Sequence, residues 1–322
     1  MKKIISIRSI LLMVTSALVA TAFTLVVSLS VTSNASAQAG SGGKLFATPE
    51  NAADALITAA ENFDETAFTE ILGPDSYDII HSGEPTLDRQ VAADFAKLGR
   101  EKKTLSPDKR NRRMVLLAIG DDNWPFPLPL VKVGTQWRFD TAAGRQEILF
   151  RRVGRNELDA IDICRNYVKA QYEYASQKRD GARVNQYAQR VISTPDHQDG
   201  LAWRNSDGTV GGPVGEEIAK AIAQGYTDKT SPYHGYYFKV LKGQGPAAPL
   251  GQMDFVINGA MIGGFALVAF PAQYQVTGVK TFLVSQGGVV YEKDLGPTTL
   301  DIAKSMDVFN PDRTWQAVLD DN

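Results

Sequence analysis

The chain is poor in the residues that build metal centres and cross-links. Its 322 residues include one cysteine, Cys164, and three histidines, His81, His197 and His234. A single cysteine excludes an intramolecular disulfide framework and any zinc cluster of several thiolates. Three scattered histidines leave little material for a multi-His site, so neither a metal nor a cofactor is expected. The sequence also lacks a G-x-S-x-G elbow, an H-E-x-x-H pair, a C-x-x-C pair and a G-x-x-x-x-G-K-[ST] loop. Gly259-Ala260-Met261-Ile262-Gly263-Gly264 has no G-x-G opening, so its glycines point to turns rather than a dinucleotide fingerprint. Basic excess is missing too. The formal charge is −2, which argues against a nucleic-acid partner, because such binding depends on neutralising phosphates.

Long apolar runs are confined to one place. Lys2, Lys3 and Arg8 precede an apolar stretch from Ile10 to about Val31, followed by Ala35-Ser36-Ala37 ahead of Gln38. A positive start, an apolar middle and an A-x-A site describe a secretory signal peptide over residues 1–37. The alternative is a retained anchor, since the stretch is long enough to span a bilayer. Cleavage near Ala37 would remove three cations and no anions, taking the formal charge from −2 to −5. The expected destination is the periplasm or the exterior of a bacterial cell, with membrane contact only in transit.

Residues 38–44 read as a Gly/Ser linker. Thr48-Pro49-Glu50 then signals a helix start: an N-cap, a proline in the first turn and an acid favourable to the dipole. Ala52, Ala53, Leu56, Ile57 and Ala60 supply its apolar face. Further helices are expected at about 64–72, ended by Gly73-Pro74, and at about 87–102 with Leu87, Val91, Phe95 and Leu98 on one side. The pattern then changes. Met114–Ile119 reads as a fully buried strand, and Gly134-Thr135 joins 128–133 to 136–140 as a hairpin. Helices followed by a small antiparallel sheet make an α+β domain over 45–152, with the element order of cystatin-like and NTF2-like folds.

The second half, 153–318, opens with a helix expected at about 156–178. Leu158, Ile161, Arg165, Val168 and Tyr172 recur at helical spacing, with Cys164, Tyr167 and Gln171 beside them. A loop-rich middle contains a short helix expected around 214–224. Strands are expected at 235–241, 265–270, 280–285 and 289–293, the last two joined at Gly287-Gly288. A long helix and an antiparallel meander make a second α+β domain.

Several phrases are too distinctive for propensity alone. They include Asp122-Asn123-Trp124-Pro125-Phe126-Pro127, Trp137-Arg138-Phe139-Asp140, Tyr233-His234-Gly235-Tyr236-Tyr237 and Val290-Tyr291-Glu292-Lys293-Asp294. Together they resemble the exported bacterial domain-of-unknown-function family numbered 2950 over about residues 46–315. That resemblance implies location and architecture and carries no chemistry. A second set, with Ala170-Gln171-Tyr172, Asp180-Gly181 and Gly278-Val279-Lys280-Thr281-Phe282, resembles the globular heads of type IV pilin-like proteins. Where a pilin has its glutamate, this chain has Val27 inside the signal segment.

His234, flanked by aromatics before a strand, is the candidate catalytic residue; the alternative is a structural histidine bonded to a backbone carbonyl. Trp124, Phe126, Tyr233, His234, Tyr236 and Tyr237 are the candidate binding residues. The alternative for Trp124 and Phe126, spaced by prolines, is packing on a core from an edge segment. His81 and His197 fall in polar loops. Cys164 reads as a buried small apolar residue rather than a nucleophile. Asp121-Asp122-Asn123 and Asn205-Ser206-Asp207-Gly208 read as turns, and Glu216-Glu217 as dipole compensation at a helix start. Lys109-Arg110-Asn111-Arg112-Arg113 is either a solvated face or a contact for anionic lipid or cell-wall polymer. The function these readings support is a non-enzymatic binding or assembly module of the cell envelope, whose partner is an envelope protein or polymer. The alternatives are an envelope hydrolase or lyase acting through His234, and a pilin-like secretion component.

Overall fold

The structure is a computed structural model that describes residues 42–81, 85–214 and 232–319. The expected signal peptide, the helix around 214–224 and Glu216-Glu217 lie wholly or almost wholly outside the described residues. The chain forms two compact units, Met1–Ile148 and Leu149–Asn322. Both mix helix with antiparallel sheet, which is the α+β class.

In the first unit, Thr48 caps α1 (Pro49–Glu61) by accepting from the Asn51 N–H. Asp64 does the same for α2 (Glu65–Leu72), and Gly73 at φ +97° ends it. A short 3₁₀ turn leads to α3 (Tyr77–Ile80), then α4 (Pro85–Glu101). The buried side of α4 includes Phe95 and Leu98 of the expected face, which pack against the core clusters, and departs from it at Val91. Val91 is exposed, while Ala96 and Gly99 face inward. A Cβ on Gly99 would lie 2.8 Å from the Ile57 side chain of α1, so the two helices need small residues where they cross. Residues 42–44, read as linker, are already engaged: the Lys44 N–H donates to the Glu70 carbonyl and the Lys44 ammonium meets its carboxylate, each at 2.8 Å.

The sheet runs β1-β2-β4-β5: β1 (Lys103–Pro107), β2 (Met114–Ile119), β4 (Leu130–Val133) and β5 (Gln136–Phe139), with β3 (Trp124–Pro125) added against β2. The expected hairpin at Gly134-Thr135 is present. β2 is half-buried rather than fully buried. Val115, Leu117 and Ile119 face the helices, whereas Leu116 is 38% exposed, which is the alternation of a sheet covered on one face.

Helix α5 spans Thr141–Ala175, beginning about fifteen residues before the expected start. Asp140 accepts from the Ala143 N–H and caps it, and Gly144 and Gly154 both sit within it, so neither glycine breaks the chain. The division between the units, at 148/149 against the expected 152/153, falls inside this helix. Its buried stripe is Ala160, Ile161, Cys164, Tyr167, Gln171 and Tyr174, whereas Leu158 and Tyr172 are exposed. The stripe is therefore rotated toward the residues expected beside the apolar face.

The second unit is built on the sheet β17-β16-β15-β14-β9, every neighbouring pair antiparallel. Its strands are β9 (Tyr236–Leu241), β14 (Ala266–Pro271), β15 (Lys280–Ser285), β16 (Val290–Asp294) and β17 (Gln316–Ala317). All six residues of β14 are buried, as a central strand covered on both faces requires. The Tyr167 hydroxyl of α5 donates to the Ala266 carbonyl. From the other side, Lys239 donates to Asp307 and Tyr291 packs on Phe309, beyond helix α6 (Thr299–Ser305). The loop-rich middle contains a small sheet of β6 (Arg190–Ile192), β7 (Gly200–Arg204) and β8 (Val210–Gly211), with β6 parallel to β7. Two short hairpins, β10 (Gly243–Gln244) with β11 (Met253–Asp254) and β12 (Val256–Ile257) with β13 (Ala260–Met261), follow β9.

Candidate functional site

The sequence phrase Tyr233–Tyr237 folds as a tight turn leading into β9. Tyr233 and Tyr236 exchange both backbone hydrogen bonds, at 2.8 and 3.0 Å. His234 at φ +47° and Gly235 at φ +74° occupy the two central positions. Two left-handed residues in succession mark a type I′ turn. Glycine is required at 235 for a second reason: a Cβ there would lie 2.6 Å from Asn156 Nδ2 and 2.9 Å from Thr277 Cβ.

One stretch of α5 holds this turn and its neighbour. Asn156 Nδ2 donates to the Thr277 carbonyl at 2.9 Å. Glu157 Oε1 accepts from the Val279 and Lys280 N–H groups, at 2.8 and 3.0 Å. Asp159 Oδ2 lies 2.8 Å from His234 Nδ1. The described partner of His234 is thus a carboxylate, where the structural alternative had a backbone carbonyl. An ionised carboxylate only accepts, so Nδ1 is the donor in this contact. This is the orienting half of a catalytic triad in its chemistry. The nearby Thr277 hydroxyl belongs to its own turn, donating to the Gln273 carbonyl. The Tyr233 ring stacks on the imidazole with centroids 4.2 Å apart and planes 19° from parallel. The His234 side chain is 44% exposed and that of Asp159 29%.

The remaining tyrosines divide. Tyr236 is buried, and its hydroxyl donates to the Lys280 carbonyl at 2.9 Å. Burial, reinforced by the Glu157 charge, pushes its phenol far above the ordinary range. Tyr237 is half-buried with its ring 5.8 Å from Phe270. Trp124 and Phe126, in the other unit, lie against apolar clusters; Phe126 packs between Phe95 at 5.0 Å and Phe139 at 6.1 Å. The structure therefore brings Tyr233 and His234 together at a surface and puts Tyr236 in the core beneath them, while the Trp124 segment belongs to the first unit.

The other candidates are occupied locally. Cys164 is fully buried and its thiol is pushed up to about 12 by burial, so it is poorly suited to act as a nucleophile. His81 is not in a polar loop. It ends α3 between Tyr77, at 4.3 Å, and Phe63, with Glu65 3.8 Å away. His197 lies 3.5 Å from Asp180. Asp207 accepts from both the N–H and hydroxyl of Thr209, and the Thr209 hydroxyl bond holds its carboxyl below the usual range. Asn123, at φ +50°, donates to the Asp121 carbonyl. Among the described residues no group of three or more His, Cys, Asp and Glu side chains is placed to hold a metal ion.

With this geometry in hand, the chain matches DUF2950, a family described as protein of unknown function, over residues 43–318. The chain belongs to the DUF2950 family. No curated protein matches, and no solved structure matches. The likeness to pilin heads therefore rests on sequence phrases alone. Within this DUF2950 chain, sequence reasoning missed Asp159, Asn156 and Glu157. Asp159 is 75 residues from His234, and nothing in the local pattern of α5 marks it among the other carboxylates. It also missed Arg179, whose guanidinium lies between the rings of Tyr174, at 5.1 Å, and Trp203, at 4.9 Å.

Proposed function

We propose that this protein is an exported binding module of the bacterial cell envelope, and that the Tyr233–His234 surface is where it meets its polymer or protein partner. One observation carries the reading. Two stacked rings, one of them 44% exposed, are held by a turn that cannot relax and by a carboxylate that fixes the imidazole. A platform ordered before binding loses little conformational entropy when a ligand arrives. Stacked aromatic faces beside a carboxylate suit the flat apolar faces and hydroxyl rims of a glycan. Export is proposed from the signal-like sequence of residues 1–37, and N-terminal sequencing of the secreted chain should return Gln38.

A second reading is favoured by the 2.8 Å contact between His234 and Asp159. A carboxylate-oriented imidazole is general acid–base machinery, so the alternative is an envelope hydrolase or lyase. One experiment separates the two. Purified cell-wall sacculi are incubated with the parent chain, His234→Gln, Asp159→Asn and Tyr233→Ala, then pelleted. Binding predicts that the parent pellets without releasing soluble fragments, and that Tyr233→Ala stays in solution. Catalysis predicts fragment release that His234→Gln and Asp159→Asn abolish. A parent chain that neither pellets nor releases fragments overturns both readings for this polymer.

A further inference from the structure

The strongest feature outside that surface is one end of the sheet in the first unit. The six residues between β1 and β2, 108–113, contain Lys109, Arg110, Arg112 and Arg113, all exposed. The turn is tied to β4, where the Lys132 N–H donates to the Arg113 carbonyl; the Lys132 ammonium itself lies over the Trp137 ring, 5.8 Å from its centroid. Within 108–113 and the adjoining 132–136 the only carboxylate is Asp108. Asp108 is turned inward on the loop itself, accepting from the Arg110 and Asn111 N–H groups at 2.8 and 2.7 Å. The Asn111 side chain accepts from the Arg113 N–H, and its carbonyl from the Met114 N–H. Among the described residues none of the four turn cations forms an ion pair; the one side-chain hydrogen bond they make is Arg113 to the Lys132 carbonyl. The turn is therefore a rigid mount for uncompensated positive charge.

An apolar face borders this charge. Met114 and Val131 are directly opposed in the sheet, so Leu116 and Val133, each two residues on, share their face. It is the face away from the helices, since Val115 and Leu130 on the other side are buried. Leu116 is 38% and Val133 40% exposed. By the register of β2 with β4, Val133 falls opposite the basic turn.

We infer that this end of the sheet is a docking surface for an anionic lipid bilayer. Cations fixed on a rigid turn attract the negative headgroup layer, and the flanking Val133 and Leu116 enter the interface. A soluble polyanion would use the cations but would gain nothing from exposed valine and leucine, and this decides between the two. The inference is independent of the Tyr233–His234 surface, which lies in the other unit.

The test is co-sedimentation of the full chain with phosphatidylcholine vesicles, with or without about one-third phosphatidylglycerol. It compares the parent, the quadruple variant K109Q/R110Q/R112Q/R113Q, and Val133→Ser. Residues 10–31 are common to all three, so the readouts are differences between chains and between vesicles. All the substituted side chains are exposed, and matching thermal unfolding checks that each variant is folded. The parent should prefer anionic vesicles, and the preference should weaken as salt rises from roughly 0.05 to 0.5 M. The quadruple variant should bind anionic vesicles about 600-fold more weakly, on about five-fold for each of four cations near a charged surface. Val133→Ser should weaken vesicle binding without changing binding to inorganic polyphosphate. A parent indifferent to lipid charge, or a quadruple variant that binds as well as the parent, overturns the inference. So does polyphosphate binding lost in the quadruple variant while vesicle binding is equal in all three chains.

Discussion

Gly235→Ala tests whether the turn beneath the candidate site is as constrained as its geometry implies. Residue 235 sits at φ +74°, where an L-residue with a Cβ is strained by about 1–2 kcal/mol. The new methyl would also lie 2.6 Å from Asn156 Nδ2, so Asn156 must move. That movement breaks its hydrogen bond to the Thr277 carbonyl, a loss of about 0.5–1.5 kcal/mol. The sum is about 2–3 kcal/mol, which for a urea slope of about 2 kcal/mol/M lowers the unfolding midpoint by roughly 1 M. Urea denaturation followed by far-UV circular dichroism measures it. A double-mutant cycle with Asn156→Ala separates the two causes, because removing the amide relieves the collision with Asn156 but leaves the backbone strain and the 2.9 Å approach to Thr277 Cβ. The expected coupling is about 1 kcal/mol. If Gly235→Ala stays within about 0.5 kcal/mol of the parent, or costs the same with and without Asn156, the account of this turn is wrong.

Three further outcomes are expected. Gln171 is fully buried and both donates to the Ala188 carbonyl and accepts from the Ala188 N–H, at 2.9 and 2.8 Å. Gln171→Met strands both groups and should lower stability by about 2–4 kcal/mol in the same urea assay, with a change below about 0.5 kcal/mol counting against it. Cys164 should resist a thiol reagent such as DTNB in the native chain and react fully in denaturant; rapid native labelling would contradict its burial. The Arg145 guanidinium beside Asp78 holds that carboxyl below its ordinary value. The stabilisation it brings is therefore present above the unfolded aspartate value, about 3.9, and is lost as pH falls through the depressed folded value. Asp78→Asn should be less stable than the parent at pH about 7, and the two chains should converge near pH about 2. A gap that persists in acid would mean the pair does not act through ionisation.

Signals local to the sequence were legible because their physics is local. Thr48-Pro49 and Asp64 fix two helix starts through their own side chains and φ angles. Gly134-Thr135 fixes a hairpin by turn geometry, and the antiparallel meander follows from apolar runs between turn residues. Where the structure departs from the sequence pattern, the deciding contact is distant. The buried stripe of α5 passes through Tyr167, Gln171 and Tyr174 because the sheet, the 188 loop and the Gln198 carbonyl supply partners there. Periodicity alone accepts Leu158 and Tyr172 equally well. The early start of α5 was masked by Gly144 and Gly154, glycines that a packed helix tolerates.

The candidate site shows the same division. The sequence singled out His234, since a histidine in an aromatic phrase before a strand is visible in one dimension. It could not choose between a carbonyl and a carboxylate partner, because Asp159 reaches His234 only after α5 is laid against the β9 turn. Composition, the scarcity of cysteine and histidine, and the family phrases were determined by the sequence itself, each being a property of residues or short spans. Which rings are exposed, which carboxylate meets the imidazole and which cations of the 108–113 turn lack an ion pair among the described residues were decided by tertiary structure, because each depends on groups brought together from distant parts of the chain.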